Sequence, residues 1–163
     1  MSNAPFLTTE RLKLRAPADH DRRFIVALIS DEKVRRFLGG VSSFEQREAA
    51  VSHYLTADVG EVVWMVETVV ASQQIGLISI SRHQDGDGTE LSYQFHPDSS
   101  GRGYAIEAAT AVKDYVINDL GRRDLVAETQ EANHASRRLL EKLGMRELRS
   151  LERFGAKQII YIL

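Results

Sequence analysis

No cysteine occurs among the 163 residues. Disulfides, thiolate metal sites and cysteine nucleophiles are excluded together, and a reducing compartment is the fitting expectation. Proline is scarce, three in all, and no low-complexity tract or internal repeat interrupts the chain. Neither sign of charge dominates: 21 Lys and Arg against 23 Asp and Glu leave −2 with histidine neutral. That balance argues against a protein that binds nucleic acid by neutralising many phosphates. With 27% charged and 43% apolar residues the chain is also unlike a disordered one. Long apolar runs are missing too. The longest, Phe24-Ile25-Val26-Ala27-Leu28-Ile29, has six residues, and Val62-Val63-Trp64-Met65-Val66 has five, where a membrane span needs about 20. Met1-Ser2-Asn3-Ala4-Pro5 has neither the basic start nor the apolar stretch of a secretory signal. The expectation is one cytoplasmic domain over residues 1–163, with no membrane or nucleic-acid partner. A chain near this length removes about 68–70% of its unfolded surface from water, enough for a core without staples.

Periodicity supplies the elements. Arg11-Leu12-Lys13-Leu14-Arg15 alternates polar and apolar, as a half-buried strand does. Beyond Pro17, Asp19 is placed to cap a short helix carrying Phe24, Ile25 and Leu28. A second helix is predicted from Ser43 to Ala57, with Phe44, Val51, Tyr54 and Leu55 apolar and Ser43-Phe44-Glu45-Gln46 close to a capping box. Strands follow at Val62–Val69 and Ile75–Ser81, separated by a turn-like Ala71-Ser72-Gln73-Gln74. Asp85-Gly86-Asp87-Gly88 is the strongest turn signal. It leads into the alternating strand Glu90–Phe95, stopped by Pro97. From Tyr104 the period becomes helical, with Ala105, Ala108, Ala109, Val112, Tyr115 and Val116 on one face. A short strand Leu125–Thr129, a helix Ala135–Leu143 closed by Gly144, and strands near Arg146–Phe154 and Gln158–Leu163 complete the chain. The fold class is α/β, a mixed sheet with helices on its faces.

Two stretches carry chemistry. In Gly101-Arg102-Gly103-Tyr104-Ala105 two glycines open an amphipathic helix directly after a strand and loop. The first turn of a helix offers unpaired N–H groups and partial positive charge, which suits a phosphate or pyrophosphate. The same residues also suit a plain strand-to-helix turn. The dinucleotide fingerprint fails because its third small position is Ile106, and no Gly-Lys-Ser/Thr of a phosphate loop follows. In the second stretch Asn133 and Ser136 stand three apart at a helix start, fit either for capping or for a site. Five scattered histidines with no His-x-x-x-His pair point to no metal site. Asp85–Glu90 lacks the calcium-loop spacing and reads as a surface turn.

In this order the stretches resemble the GNAT superfamily of acyl-CoA-dependent N-acyltransferases along nearly the whole chain. The likeness is closest to its RimJ/RimL-type branch of N-terminal acetyltransferases. Thr9-Glu10-Arg11-Leu12-Lys13-Leu14-Arg15 looks like that branch's opening strand, and Asp31–Leu38 resembles the segment after it. Glu90–Pro97 with Gly101–Ala108 matches the acetyl-CoA motif, and Asn133-x-x-Ser136 with Leu143-Gly144-Met145 the second cofactor motif. The resemblance implies a splayed sheet with acetyl-CoA as co-substrate and no metal. Its pantetheine arm would pair with the backbone of Tyr93, Gln94 and Phe95, and its pyrophosphate would sit on the N–H groups of Gly101, Arg102, Gly103, Tyr104 and Ala105. Asp98 stands where the superfamily commonly has Gln or Arg, Ser100 where the branch often has Trp, and Leu140 where many members carry a thiolate-protonating Tyr.

The reaction so implied is direct attack of a neutral amine on the thioester, since no cysteine is present for a covalent route. Glu90 is the candidate base, acting through water; its alternative is an exposed strand residue after a tight turn. A backbone N–H near Tyr93–Phe95 would polarise the thioester carbonyl, Ser136 would donate to the departing sulfur, and Asn133 would orient cofactor or substrate. Arg137-Arg138 could reach the CoA 3′-phosphate. An α-amine, with pKa about 7.7–8.0, is neutralised at roughly 3.5 kcal/mol less cost than a lysine at about 10.4. A protein N-terminal α-amine is therefore the leading acceptor, and a polyamine, amino acid or antibiotic amine the alternative. A non-catalytic acyl-CoA-binding regulatory domain is the rival from another class. Monomer and homodimer both remain open.

Overall fold

The computed structural model describes residues 3–86 and 88–163; Asp87, part of the predicted Asp-Gly turn, lies outside them. Among the described residues eight strands form one sheet in the order β1-β2-β3-β4-β5-β6-β8-β7. They are β1 (Leu7–Thr8), β2 (Leu12–Arg15), β3 (Val62–Thr68), β4 (Gln74–Arg82), β5 (Thr89–Phe95), β6 (Leu125–Gln130), β7 (Arg146–Arg153) and β8 (Ala156–Ile162). Every neighbouring pair is antiparallel except β5 and β6. That parallel pair needs a crossover, and α4 (Tyr104–Asn118) supplies it.

Each face of the sheet carries its own apolar cluster. On one, α4 and α5 (His134–Lys142) lay Ala108, Val112, Val116 and Leu140 against Leu12, Leu14, Trp64, Ile78 and Leu91. On the other, α1 (Arg22–Ile29) and α3 (Phe44–Thr56) press Ile25, Leu28, Val51 and Leu55 onto Val63, Met65 and Leu77. The alternation Trp64/Met65 across β3 is what serves two cores from one strand. Leu140 is fully buried, so it fills the core in place of a cleft-facing tyrosine.

Two expectations need correction. Asp19 does not cap a helix. It lies inside a short 3₁₀ turn, Asp19–Asp21, and the buried carboxylate of Asp21 reaches back to accept from Ala18 N–H at 2.8 Å. Asp21 can be buried because Arg15 meets it with two parallel bonds, 2.7 and 2.8 Å. Phe44 does not join the core either. The first turn of α3 is exposed and burial starts at Arg47, leaving Phe44 69% accessible. The capping box itself forms as the sequence suggests, Ser43 Oγ accepting from Gln46 N–H and Gln46 Oε1 from Ser43 N–H. The sequence pattern missed α2 (Glu32–Arg35), too short for periodicity, which Asp31 caps through Oδ1 to Lys33 and Val34 N–H. No helix among the described residues is long and apolar enough to cross a membrane.

Candidate active site

The site begins where the sheet opens. β5 and β6 pair at Thr89↔Leu125 and Glu90↔Val126 and no further. Thr89 N–H still donates toward β6, to Asp124 O, whereas His96 N–H donates to β4, to Ile75 O. Strand alternation therefore turns the backbone groups of Leu91, Tyr93 and Phe95 away from β4, those of Tyr93 and Phe95 into the gap where no strand answers them. A cleft of about 630 Å³ occupies this gap, and Glu90, Tyr93, Gln94, Phe95, Ala105, Asn133 and Ser136 line it.

Gly101, Arg102 and Gly103 form an exposed turn at the N-terminus of α4. Gly103 is the N-cap at φ +77°, and Gly101 has φ +76° with open space where a Cβ would stand. Both conformations favour glycine. Arg11 braces this turn: Nη1 donates to Arg102 O at 2.8 Å, Nε donates to Glu107 at 2.7 Å, and the guanidinium lies 4.6 Å from the Tyr104 ring centre. Thr9 Oγ1 donates to Glu107 as well, at 2.5 Å. The opening Thr-Glu-Arg stretch thus positions the loop, a role that its place in a strand pattern did not reveal. The Asp98 carboxylate points to solvent, 3.6 Å from His96 Nδ1.

Glu90 lies at the closed end of the split, on the face that Gln94 shares. His83 and Glu128 come to it, their ligand atoms mutually within 4.8 Å. His83 is buried, with Nε2 3.1 Å from Glu128 Oε2. Arg153 donates to both oxygens of Glu128, at 2.9 and 2.6 Å, and reaches Asp85 in the preceding turn. Arg149 joins Asp85 at 2.6 Å. Glu128 is thereby compensated, and the two arginines hold the Asp85 carboxyl well below its usual range. Glu90 differs. Burial pushes its pKa up, the nearby Glu128 adds to the rise, and His83 and Arg153 oppose it. Sequence spacing treated His83 as isolated, whereas the β4–β5 hairpin and the β6 register bring it to Glu90.

On the opposite face Tyr93 and Ser136 meet, their hydroxyl oxygens 2.6 Å apart. Burial, first of all, pushes the Tyr93 phenol up to about 12. Asn133 Oδ1 caps α5 by accepting from Ser136 N–H at 3.2 Å, so its amide oxygen is committed while the residue lines the cleft. Arg137 is bound elsewhere, to Tyr161 Oη at 3.1 Å and Glu147 at 3.0 Å. Of the pair offered for a CoA phosphate only Arg138 remains exposed.

The outer wall comes from α2, the turn after it and α3. Gln94 Nε2 donates to Tyr54 Oη at 2.8 Å, and Arg35 Nη1 approaches Gln94 Oε1 at 3.4 Å. Phe37 and Leu38 line the same side, and Phe154 lines the mouth from the β7–β8 turn.

The sequence matches the family described as Acetyltransferase (GNAT) domain over residues 11–146. It is 30% identical over 149 residues to the uncharacterized N-acetyltransferase YoaA of Bacillus subtilis, covering 88% of this chain and 84% of that protein. A GNAT-family acetyltransferase from Bacillus anthracis superimposes with a TM-score of 0.86 at 24% identity, over 98% of both chains. An acetyltransferase from Agrobacterium tumefaciens gives 0.85 at 25% identity, over 99% of this chain and 95% of that one. The chain belongs to the GNAT family of acetyltransferases, whose co-substrate is acetyl-CoA.

Proposed function

We propose that the enzyme moves the acetyl group of acetyl-CoA directly onto a primary α-amine, a protein N-terminus before a small-molecule amine, in the manner of the RimJ/RimL-type branch. The observation that carries this is the abrupt end of β5–β6 pairing after Glu90↔Val126, with the Gly101–Gly103 turn at the open end. Acetyl-CoA supplies an activated thioester. The unanswered backbone groups of Tyr93 and Phe95 fit an amide-bearing arm laid in as an extra strand, and the N–H groups from Gly101 to Ala105 fit its pyrophosphate. A peptide N–H at Tyr93–Phe95 donates to the thioester carbonyl.

Glu90 takes the amine proton through water. A carboxylate raised by burial is a stronger base than an ordinary one and lies nearer an α-amine in proton affinity. Tyr93 and Ser136 act on the sulfur. A phenol near 12 giving its proton wholly to a thiolate near 8.5 would lose on the order of 5 kcal/mol. The pair therefore donates a hydrogen bond to the developing thiolate, and the proton that ends on sulfur comes from the amine.

Calorimetry with acetyl-CoA, run beside CoA-thiol release over N-terminal peptides, polyamines and amino acids, tests the assignment. Micromolar binding with release on α-amine acceptors is expected. Binding with no release on any amine overturns it.

A further inference from the structure

The hydrogen-bonding capacity of the outer wall is one-sided. Gln94 spends Nε2 on Tyr54 Oη and Oε1 on Arg35. Tyr54 Oη has thus received a hydrogen and retains its own to give. Arg35 gives Nε to Gly40 O at 3.0 Å and one Nη2 hydrogen to Leu38 O. Of its five N–H hydrogens two remain, one on each terminal nitrogen. No carboxylate among the described residues lies within ion-pair distance of it. Glu61, the carboxylate that acts on Tyr54, is itself paired with His53 at 2.8 Å. Lys33 lines the same end of the cleft. What this wall lacks is an acceptor carrying negative charge.

Glu90 stands at the other pole. It precedes Gln94 by four residues on the same face of β5, so the two α-carbons are about 13 Å apart. One cleft thus has a base at one end and, at the other, a cationic corner with N–H and O–H hydrogens still to give. The two poles address different ends of one molecule.

We infer that Arg35 and Tyr54, held in place by Gln94, bind a carboxylate of the acceptor, so that the enzyme selects amines that also carry an acidic group. The inference rests on the proposed transfer to an amine in this cleft. A free amino acid offers such a carboxylate at its α-carbon, and a peptide offers one in an acidic side chain at or next to its N-terminus. A charge-assisted pair of bonds at a half-buried corner separates a carboxylate from its carboxamide isostere by about tenfold or more.

The test measures kcat/KM for matched acceptors: amidated peptides starting with Asp or Glu against Asn or Gln, and free amino acids against their amides. The same panel is titrated calorimetrically into CoA-loaded protein. A tenfold preference for the carboxylate member is expected in one arm, which names the source. It should fall toward unity in Arg35→Gln and substantially in Tyr54→Phe, a change that leaves the Arg35 contacts to the Gly40 turn intact. Equal use of acids and amides in both arms overturns the inference while turnover itself upholds the transferase reading. Without turnover the transferase reading fails. The inference then stands or falls on whether calorimetry shows acid over amide in wild type and loses it in the variants.

Discussion

Removing the phenol of Tyr93 separates two ways in which a thiolate can be quenched. In Tyr93→Phe the ring, packed beside Phe95 at 6.4 Å between centres, is retained, and only the hydroxyl 2.6 Å from Ser136 Oγ is lost. If the pair supplies a hydrogen bond to developing negative charge, the loss is about 1.5–3 kcal/mol. That corresponds to a fall of roughly 10- to 150-fold in kcat. Ser136→Ala removes the partner and should cost a similar factor, with little change in the Kd for acetyl-CoA. The two groups act as one device, so the double variant should be barely worse than the poorer single one. Thiol release at saturating acceptor gives kcat, calorimetry gives Kd, and a pH series adds a third reading. A phenol near 12 stays protonated throughout the working range, so kcat should show no falling limb from this group below about pH 10. Three results would refute the reasoning: kcat unchanged in both single variants, losses that multiply in the double variant, or a limb near pH 8 that vanishes in Tyr93→Phe.

Glu90→Gln should lower kcat/KM by about 10²-fold or more, as loss of a general base does. The same change should raise stability at pH 7. The folded carboxyl titrates above its unfolded value, so its contribution is full below that value and is lost as pH rises through the folded one; urea unfolding should show the gain at pH 7 shrinking toward pH 4. Gly103→Val puts a branched side chain at φ +77°, with its Cβ 3.4 Å from Arg11 Nη2. It should weaken acetyl-CoA at least tenfold by calorimetry, and unchanged affinity would place the pyrophosphate elsewhere. Phe154 holds φ +56° in the two-residue β7–β8 turn, 71% exposed, a conformation costing about 1 kcal/mol that Asn relieves. Phe154→Asn should therefore raise the melting temperature while raising KM for the acceptor. A drop in both would deny the residue its place at the cleft mouth.

The elements were largely legible because each has a period. Alternation marked Glu90–Phe95, and spacing by three and four marked Ala108, Ala109, Val112 and Val116, all buried. What periodicity reads is burial on one face, so it failed where burial does not follow the pattern. Phe44 has the right residue type and phase yet sits on an exposed first turn. The four residues of α2 are too few to display a period, although they carry Arg35 to the cleft. Asp19 and Asp21 are equivalent as letters. Only the bidentate contact with Arg15, six positions earlier and on another element, decides which of them is buried.

The site divides along the same line. Of its backbone parts, the turn at residues 101–103 follows from local sequence, two glycines before a helix, whereas the open edge of β5 follows from β6 leaving it after Glu90↔Val126, which only the family resemblance implied. Its side-chain parts depend on register. His83, Glu90 and Glu128 converge because Glu90 faces Val126 across the parallel pair while Arg153 comes over from β7 to hold Glu128 and Asp85 together. A slip of one residue would turn Glu90 onto the Tyr93 face and leave Glu128 without its partner. Base strength here is therefore set by strand pairing more than by residue type. Arg153 pairs with one of two neighbouring carboxylates, and desolvation first, with a smaller push from that carboxylate's charge, raises the other. It follows that Arg153→Met, one carboxylate removed from the base, should leave Glu128 uncompensated and push Glu90 further up. The ascending limb of kcat/KM against pH should move to higher pH, with less change in the plateau. A limb that stays in place would separate the arginine from the base.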